Sequence, residues 1–316
     1  MGLCGTDAAS WRLAAVMLVW VLSYSSASTS CRYASPWSDL AQLRAGNLTV
    51  SEWHAIIGAF ANVTTDTYTN GSTSNVGGYR ELTRLAPDFG LHAIVLQAET
   101  DPQRIIIAFR GTDLNESSPS GQVDNCADWL IWHPWLQPPS YCQNFNRSTY
   151  DYVTNALHLV AKVQAQYPSA SLVTTGHSLG AGLAFLTAIN HSTPEAPVPA
   201  VAFACPGILG YMRRQHWVPT SDSLACLLQV DDSQDPAVHL TQVNQTGVFL
   251  RYDTGHDLSC DVCFKNSTPS LSHLSPWCAL CFDRHHIYRN YLNKIFNSTL
   301  PTFGVWNTTT NTAWSS

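Results

Sequence analysis

Gly176-His177-Ser178-Leu179-Gly180 stands between a short β-rich run, Ser171 to Thr175, and a segment rich in alanine and glycine, Ser178 to Asn190. Gly-x-Ser-x-Gly at a strand-to-helix junction is the pattern of a serine held on a strained turn, with its Oγ projecting from the sheet edge. Glycines two residues to either side suit that turn, because a Cβ there would collide with the neighbouring strand and helix. The helix N-terminus adds free N–H groups and a favourable dipole where negative charge would develop on a reacting oxygen. A glycine-rich turn can also do no more than pack a helix on a sheet, so the strand-turn-helix context carries the reading. Ser178 is the candidate nucleophile, with Gly176, His177 and Gly180 shaping its turn.

Working outward, Asp39 to Ala61 reads as one helix, with Leu40, Leu43, Val50, Trp53, Ile56 and Ile57 as its apolar positions. Leu91 to Gln97 and Arg104 to Phe109 flank an Asp101-Pro102 turn and read as a hairpin. A polar loop is expected from Gly111 to Asn125, and Tyr150 to Gln166 has helical periodicity. Further strands are expected at Ala200 to Ala204, Leu224 to Val230 and Val248 to Tyr252, and a last helix from His286 to Phe296. Strands alternating with helices predict an α/β fold with a mostly parallel sheet, flanked by helices, in one domain.

The composition excludes whole classes. Of 316 residues, 45% are hydrophobic and only 12% charged, against about 25% charged in an average soluble chain. That is too apolar for disorder, and a net charge of -6 with 16 Lys+Arg excludes a basic nucleic-acid binder. Arg12, the apolar run Leu13 to Leu22 and the small residues Ser25-Ser26-Ala27 form the parts of a secretory signal peptide. Read as a membrane anchor, the run would cover about 15 Å of a roughly 30 Å hydrocarbon core. The expected organisation is a signal peptide over 1–27 and one domain over 28–316, with no transmembrane segment after signal removal. Asn47, Asn62, Asn70, Asn115, Asn146, Asn190, Asn244, Asn266, Asn297 and Asn307 each begin an Asn-x-Ser/Thr sequon. Chance would give about three, so glycans are expected to solubilise a charge-poor surface; compositional bias is the alternative. The destination is secreted or lumenal, either extracellular or a lysosome- or vacuole-like compartment.

Cysteine usage agrees with that compartment. Cys260-x-x-Cys263 and Cys278-x-x-Cys281 have the spacing of a zinc ribbon, but behind a signal peptide they read as disulfides. Neither a metal nor a cofactor is expected. Cys31 is expected to tie the mature N-terminus to that block, and Cys205, on an apolar strand, is the choice for a free thiol. A Cys126–Cys142 bridge would close a loop of about 15 residues, worth about 3 kcal/mol in the chain-entropy view.

Ile106-Ile107-Ala108-Phe109-Arg110-Gly111-Thr112 followed by Gly176-His177-Ser178-Leu179-Gly180-Ala181 resembles the fungal-type, class 3 lipase family of α/β-hydrolases, from about residue 80 onward. The resemblance implies an oxyanion hole built from the N–H groups of Thr112 and Leu179, where losing one donor costs about 10²–10³ in turnover. Arg110 reads as a structural ion-pair partner. The chain order of such a triad is Ser, then Asp or Glu, then His. The family's acid stands before a proline in a short loop after a strand, which selects Asp235 within Asp231-Asp232-Ser233-Gln234-Asp235-Pro236; Asp231 and Asp232 are rivals. The family's base precedes a terminal helix, and His286-Ile287-Tyr288-Arg289-Asn290-Tyr291-Leu292 matches one of its patterns, with His285 left open.

In that family a mobile lid follows the oxyanion strand. Asp113 to Leu136 is expected to contain it, with Trp129, Trp132 and Trp135 suited to a lipid–water boundary. Trp129 beside Asp128 also reads as packing, since the family carries an Asp-Trp-Leu motif there. The implied function is a secreted serine lipase or esterase acting on lipid carboxylic esters of the triacylglycerol type at a lipid–water interface. The alternatives are a phospholipase A-type or soluble-ester esterase on the same triad, and a catalytically silent secreted glycoprotein.

Overall fold

Two runs, Arg104-Ile105-Ile106-Ile107-Ala108-Phe109 and Ala200-Val201-Ala202-Phe203, have almost no polar side chains, as strands covered on both faces require. In the computed structural model they lie at the centre of one sheet. The structure describes residues 31, 37–45, 48–69, 75–133, 137–193, 195–235, 237, 247–252, 276–288, 292, 296, 302–307 and 312–315. The expected leader 1–27, Trp135, Cys260 and Cys263 lie outside the described residues.

Among the described residues the sheet has ten strands in chain order: β1 Asn75–Val76, β2 Tyr79–Leu85, β3 Ala93–Ala98, β4 Arg104–Phe109, β5 Ser171–His177, β6 Ala200–Phe203, β7 Leu227–Asp232, β8 Val248–Tyr252, β9 Thr302–Asn307 and β10 Thr312–Ser315. Its centre, β4 to β8, is parallel throughout, and antiparallel strands extend both edges. The β3–β4 hairpin forms where expected. Parallel neighbours need long crossovers, and helices fill them: α3 Pro119–Trp132, α4 Arg147–Tyr150 and α5 Tyr152–Gln166 before β5, then α6 Leu179–His191 before β6. Two short helices, α7 Leu209–Arg214 and α8 Ser221–Ala225, lead to β7.

Alternation along the strands divides the core. Ile105, Ile107, Phe109 and Leu172 meet α3, α5 and α6 on one face. Ile106, Ala108, Val173, Val201 and Leu228 meet α1 (Ser38–Ala45) and α2 (Val50–Asp66) on the other. This is a layered α/β arrangement, with the loops at the C-terminal ends of the parallel strands gathered on one edge.

Several boundaries differ from the sequence expectation, each for a local reason. The helix expected over 39–61 is two, because Thr49 starts a second one: its hydroxyl accepts the Glu52 N–H while the Glu52 carboxylate accepts the Thr49 N–H at 2.9 Å. The polar stretch 111–125 already contains the start of α3, where Ser118 Oγ accepts the Gly121 N–H at 2.9 Å and Pro119 takes the first helical position. A further helix, α9 Pro276–His285, precedes the segment 286–296 expected to be helical, which is only partly among the described residues. Strands β1, β2, β9 and β10 were not expected.

Cys126–Cys142 is bridged, and Cys205 is a buried thiol that donates to the Pro206 carbonyl at 3.2 Å. Cys31 pairs with Cys226, their Cα atoms 5.2 Å apart, which corrects the expected tie to the 260–281 block: the N-terminal segment is pinned at the start of β7 instead. Cys281 is also disulfide-bonded. Four sequon asparagines, Asn62, Asn115, Asn146 and Asn190, are exposed. Among the described residues no helix is long and apolar enough to cross a membrane.

Candidate active site

Ser178 occupies the turn between β5 and α6 with φ 55° and ψ -121°, a left-handed conformation that costs about 1–3 kcal/mol for a residue with a Cβ. The surroundings enforce it. A Cβ on Gly176 would come within 2.4 Å of the Gly180 backbone, and one on Gly180 within 2.1 Å of the Phe109 carbonyl oxygen. The Ser178 N–H donates to the Phe203 carbonyl at 3.0 Å, and its own carbonyl accepts the Gly182 N–H at 3.1 Å. The seryl backbone is thus tied to β6 on one side and to α6 on the other.

The two histidine candidates separate clearly. His286 Nε2 lies 2.9 Å from Ser178 Oγ, and His286 Nδ1 lies 2.9 Å from Asp235 Oδ1. His285 Nδ1 instead meets Asp232 Oδ2 at 3.0 Å. Asp235 follows β7 in a turn, where Asp232 accepts the Gln234 N–H and the Asp235 N–H donates to the Asp232 carbonyl. The Ala237 N–H donates to Asp235 Oδ1 at 2.8 Å, and Asp235 has no solvent exposure. Asp231 faces Arg251 at 3.7 Å and accepts from Gln229; burial pushes its carboxyl up to about 7. Of the three acids in this loop, Asp235 is the one in the hydrogen-bonded line to Ser178.

The segment after β4 is held to α3. Arg110 donates to Asp124 at 2.7 Å, which also accepts from Tyr152 Oη and from the Asp113 N–H, so Arg110 is a structural ion-pair partner, as expected. Thr112 Oγ1 donates to Asp128 Oδ2 at 2.7 Å, and burial pushes the Asp128 carboxyl up to about 8. Among the described residues neither the Thr112 N–H nor the Leu179 N–H has a protein acceptor. For Leu179 this follows from its place in the first turn of α6.

Trp132 is half-buried, its Nε1–H donating to the Gly207 carbonyl at 3.1 Å and its ring packed so closely on Gly182 that a Cβ there would meet Cζ2 at 2.8 Å. Trp129 packs its ring against His133, with centroids 5.2 Å apart. The segment expected to act as a lid is therefore largely a helix fastened by one disulfide, one ion pair and buried Val123, Ala127 and Ile131.

Tyr68, just past α2, was missed from sequence because nothing local marks it. Its Oη accepts the Gly111 N–H at 3.0 Å and lies 2.9 Å from His177 Nδ1. His177 Nε2 in turn lies 2.9 Å from the His286 carbonyl oxygen. Among the described residues no group of three or more His, Cys, Asp or Glu side chains could hold a metal ion.

The class 3 lipase family model matches residues 106–244, a stretch that includes Thr112, Ser178 and Asp235 and ends before His286. No curated protein matches the chain. Similar solved structures include the Rhizomucor miehei lipase propeptide complex, 18% identical over 65% of this chain and 70% of that one, with a TM-score of 0.41. The Rhizomucor miehei triacylglyceride lipase is 17% identical over 74% and 98%, with a TM-score of 0.43. Lip2 lipase from Yarrowia lipolytica is 14% identical over 64% and 79%, with a TM-score of 0.42.

Proposed function

We propose that this chain, a member of the class 3 lipase family by its residues 106–244, hydrolyses lipid carboxylic esters with Ser178 as nucleophile, His286 as general base and Asp235 as the acid that orients it. The observation that carries this reading is the unbroken line of two 2.9 Å contacts from Ser178 Oγ through the His286 ring to Asp235.

In neutral His286 the Nδ1–H donates to Asp235, which leaves Nε2 to accept the Ser178 proton. As the proton moves to Nε2, Oγ bonds to the ester carbonyl carbon and the carbonyl oxygen takes the negative charge. The Thr112 and Leu179 N–H groups are the donors assigned to that oxygen. Collapse returns the proton to the leaving alcohol and leaves an acyl-Ser178. Water, deprotonated by the same imidazole, then adds to the acyl carbon and releases the acid. Within this proposal the segment Asp113 to Leu136 contains a lid, the substrate is of the triacylglycerol type, and the disulfides accord with a secreted or lumenal protein.

The test is purified protein and its Ser178→Ala variant on triolein emulsion, phospholipid vesicles and short p-nitrophenyl esters. The expected result is ester hydrolysis by the parent, greatest on the emulsion, and none above background by the variant. Near-parental hydrolysis by Ser178→Ala overturns the assignment of the nucleophile. Preference for vesicles or for soluble esters overturns the substrate class, and activity that does not jump as substrate passes from monomers to droplets overturns the lid.

A further inference from the structure

We propose that Tyr68 and His177 act as one positioning unit, a hydrogen-bonded chain that holds the oxyanion segment in register with the base; this rests on the roles given above to Ser178 and His286. The chain starts at the Gly111 N–H, one residue before Thr112, and ends at the carbonyl of His286 itself. The two loops it joins, at Gly111 and His286, are far apart in the sequence and must agree to a fraction of an ångström around Ser178.

The proton positions follow from the partners. A carbonyl oxygen can only accept, so His177 Nε2 carries a hydrogen and donates to His286 O. Burial and the neighbouring His286 hold the His177 pKa well below the ordinary histidine range, so the ring is neutral and its Nδ1 is an acceptor. Tyr68 therefore donates its O–H to Nδ1 and accepts the Gly111 N–H on the same oxygen. Every link has one direction, so these three hydrogen bonds have one arrangement of protons.

Packing keeps the unit tight. A Cβ on Gly111 would lie 2.2 Å from Tyr68 Oη, 2.6 Å from the His177 carbonyl oxygen and 3.3 Å from Ser178 Cβ, so glycine is what lets these groups converge. The Tyr68 ring stacks on Tyr288, with centroids 5.5 Å apart and planes at 21°. His177 lies 4.7 Å from the Tyr288 ring and 5.0 Å from the His286 ring. Tyr288 is anchored in turn by its O–H to the Ala61 carbonyl in α2, at 2.6 Å. In this role neither Tyr68 nor His177 needs to touch substrate.

The test uses the full chain and a soluble p-nitrophenyl butyrate assay, so that the lipid interface plays no part. Tyr68→Phe is expected to lower kcat about 10- to 100-fold, the scale of a slight misplacement, with KM within twofold of the parent. Inactivation of Ser178 by a fluorophosphonate is expected to slow by the same factor. His177→Phe should act likewise, and the double variant should be no slower than the worse single one, as members of one chain are not additive. A Tyr68→Phe enzyme with kcat within twofold of the parent, a loss confined to KM, or losses that multiply in the double variant each overturn the proposal. Should His177→Phe fail to fold, the kcat-to-KM split and the inactivation rate of Tyr68→Phe decide alone. Ser178→Ala run alongside separates the two levels: activity in that variant means the nucleophile assignment failed, not the positioning unit.

Discussion

His285 and His286 are consecutive, both are buried, and each sets its Nδ1 against an aspartate at or just past the end of β7, at 3.0 Å and 2.9 Å. Only His286 directs its other nitrogen to Ser178. The pairs differ in where they stand. Asp232 is the last residue of β7 and also accepts the Gln234 N–H, so its pairing with the end of α9 braces the turn. Asp235 lies in the turn itself, and His286 lies one residue past α9, where the chain bends. A buried His–Asp pair therefore does not in itself single out the proposed base. Direction does, and one residue near a helix end swings the side chain by about 100°.

Removing each histidine in turn should break the likeness furthest. His286→Ala is expected to lower kcat by about 10⁴-fold or more, as loss of a triad base does. His285→Ala should leave kcat within about tenfold while lowering stability by about 3 kcal/mol, the lower end for a buried pair that loses one partner. Urea unfolding and ester turnover on the same preparations check both. A dead His285 variant beside an active His286 variant would exchange their roles.

The aspartates should repeat the contrast on a smaller scale. Asp235→Asn is expected to lower kcat about 10⁴-fold by favouring the wrong imidazole tautomer, with little change in melting temperature. Asp232→Asn should show the reverse order of effects: a lower melting temperature and a turnover loss at least a hundredfold smaller than that of Asp235→Asn. Equal turnover losses would mean that the two pairs work as one unit.

These pairs also mark where sequence reading ran out. Gly176, Ser178 and Gly180 could be picked out because a strained turn restricts residue type at fixed spacing; a Cβ at either glycine would meet backbone. The parallel centre of the sheet was legible from apolar runs such as Ile105–Phe109. Strand β2, Tyr-Arg-Glu-Leu-Thr-Arg-Leu, was not, because near the sheet edge most of its side chains are only partly covered and the charged ones blur the period of two. Choosing among Asp231, Asp232 and Asp235 needed the family resemblance, and choosing between His285 and His286 stayed open, since adjacent residues share a motif but not a direction. Tyr68 could not be found at all: its importance lies in contacts 43 and 109 residues away.

Asp128 sharpens the contrast, because this half-buried carboxylate has a hydroxyl where Asp232 and Asp235 have an imidazole. Asp128 accepts from Thr112 Oγ1, and neither that hydroxyl nor nearby Asp124 can take up its charge. Burial, reinforced by Asp124 and only partly offset by the Thr112 hydrogen bond, pushes the carboxyl up to about 8. The folded chain thus keeps this proton up to about pH 8, whereas an unfolded aspartate releases it near pH 4. Between those values the unfolded state is the one that has lost the proton, so raising the pH favours unfolding and stability falls. Asp128→Asn removes the titration and keeps an acceptor for Thr112. Its melting temperature should fall less than that of the parent between pH 5 and pH 9, the smallest of the effects argued here. Superimposable melting profiles for parent and variant would show that Asp128 is already ionised in the folded chain, its charge met by the Thr112 hydroxyl without an imidazole.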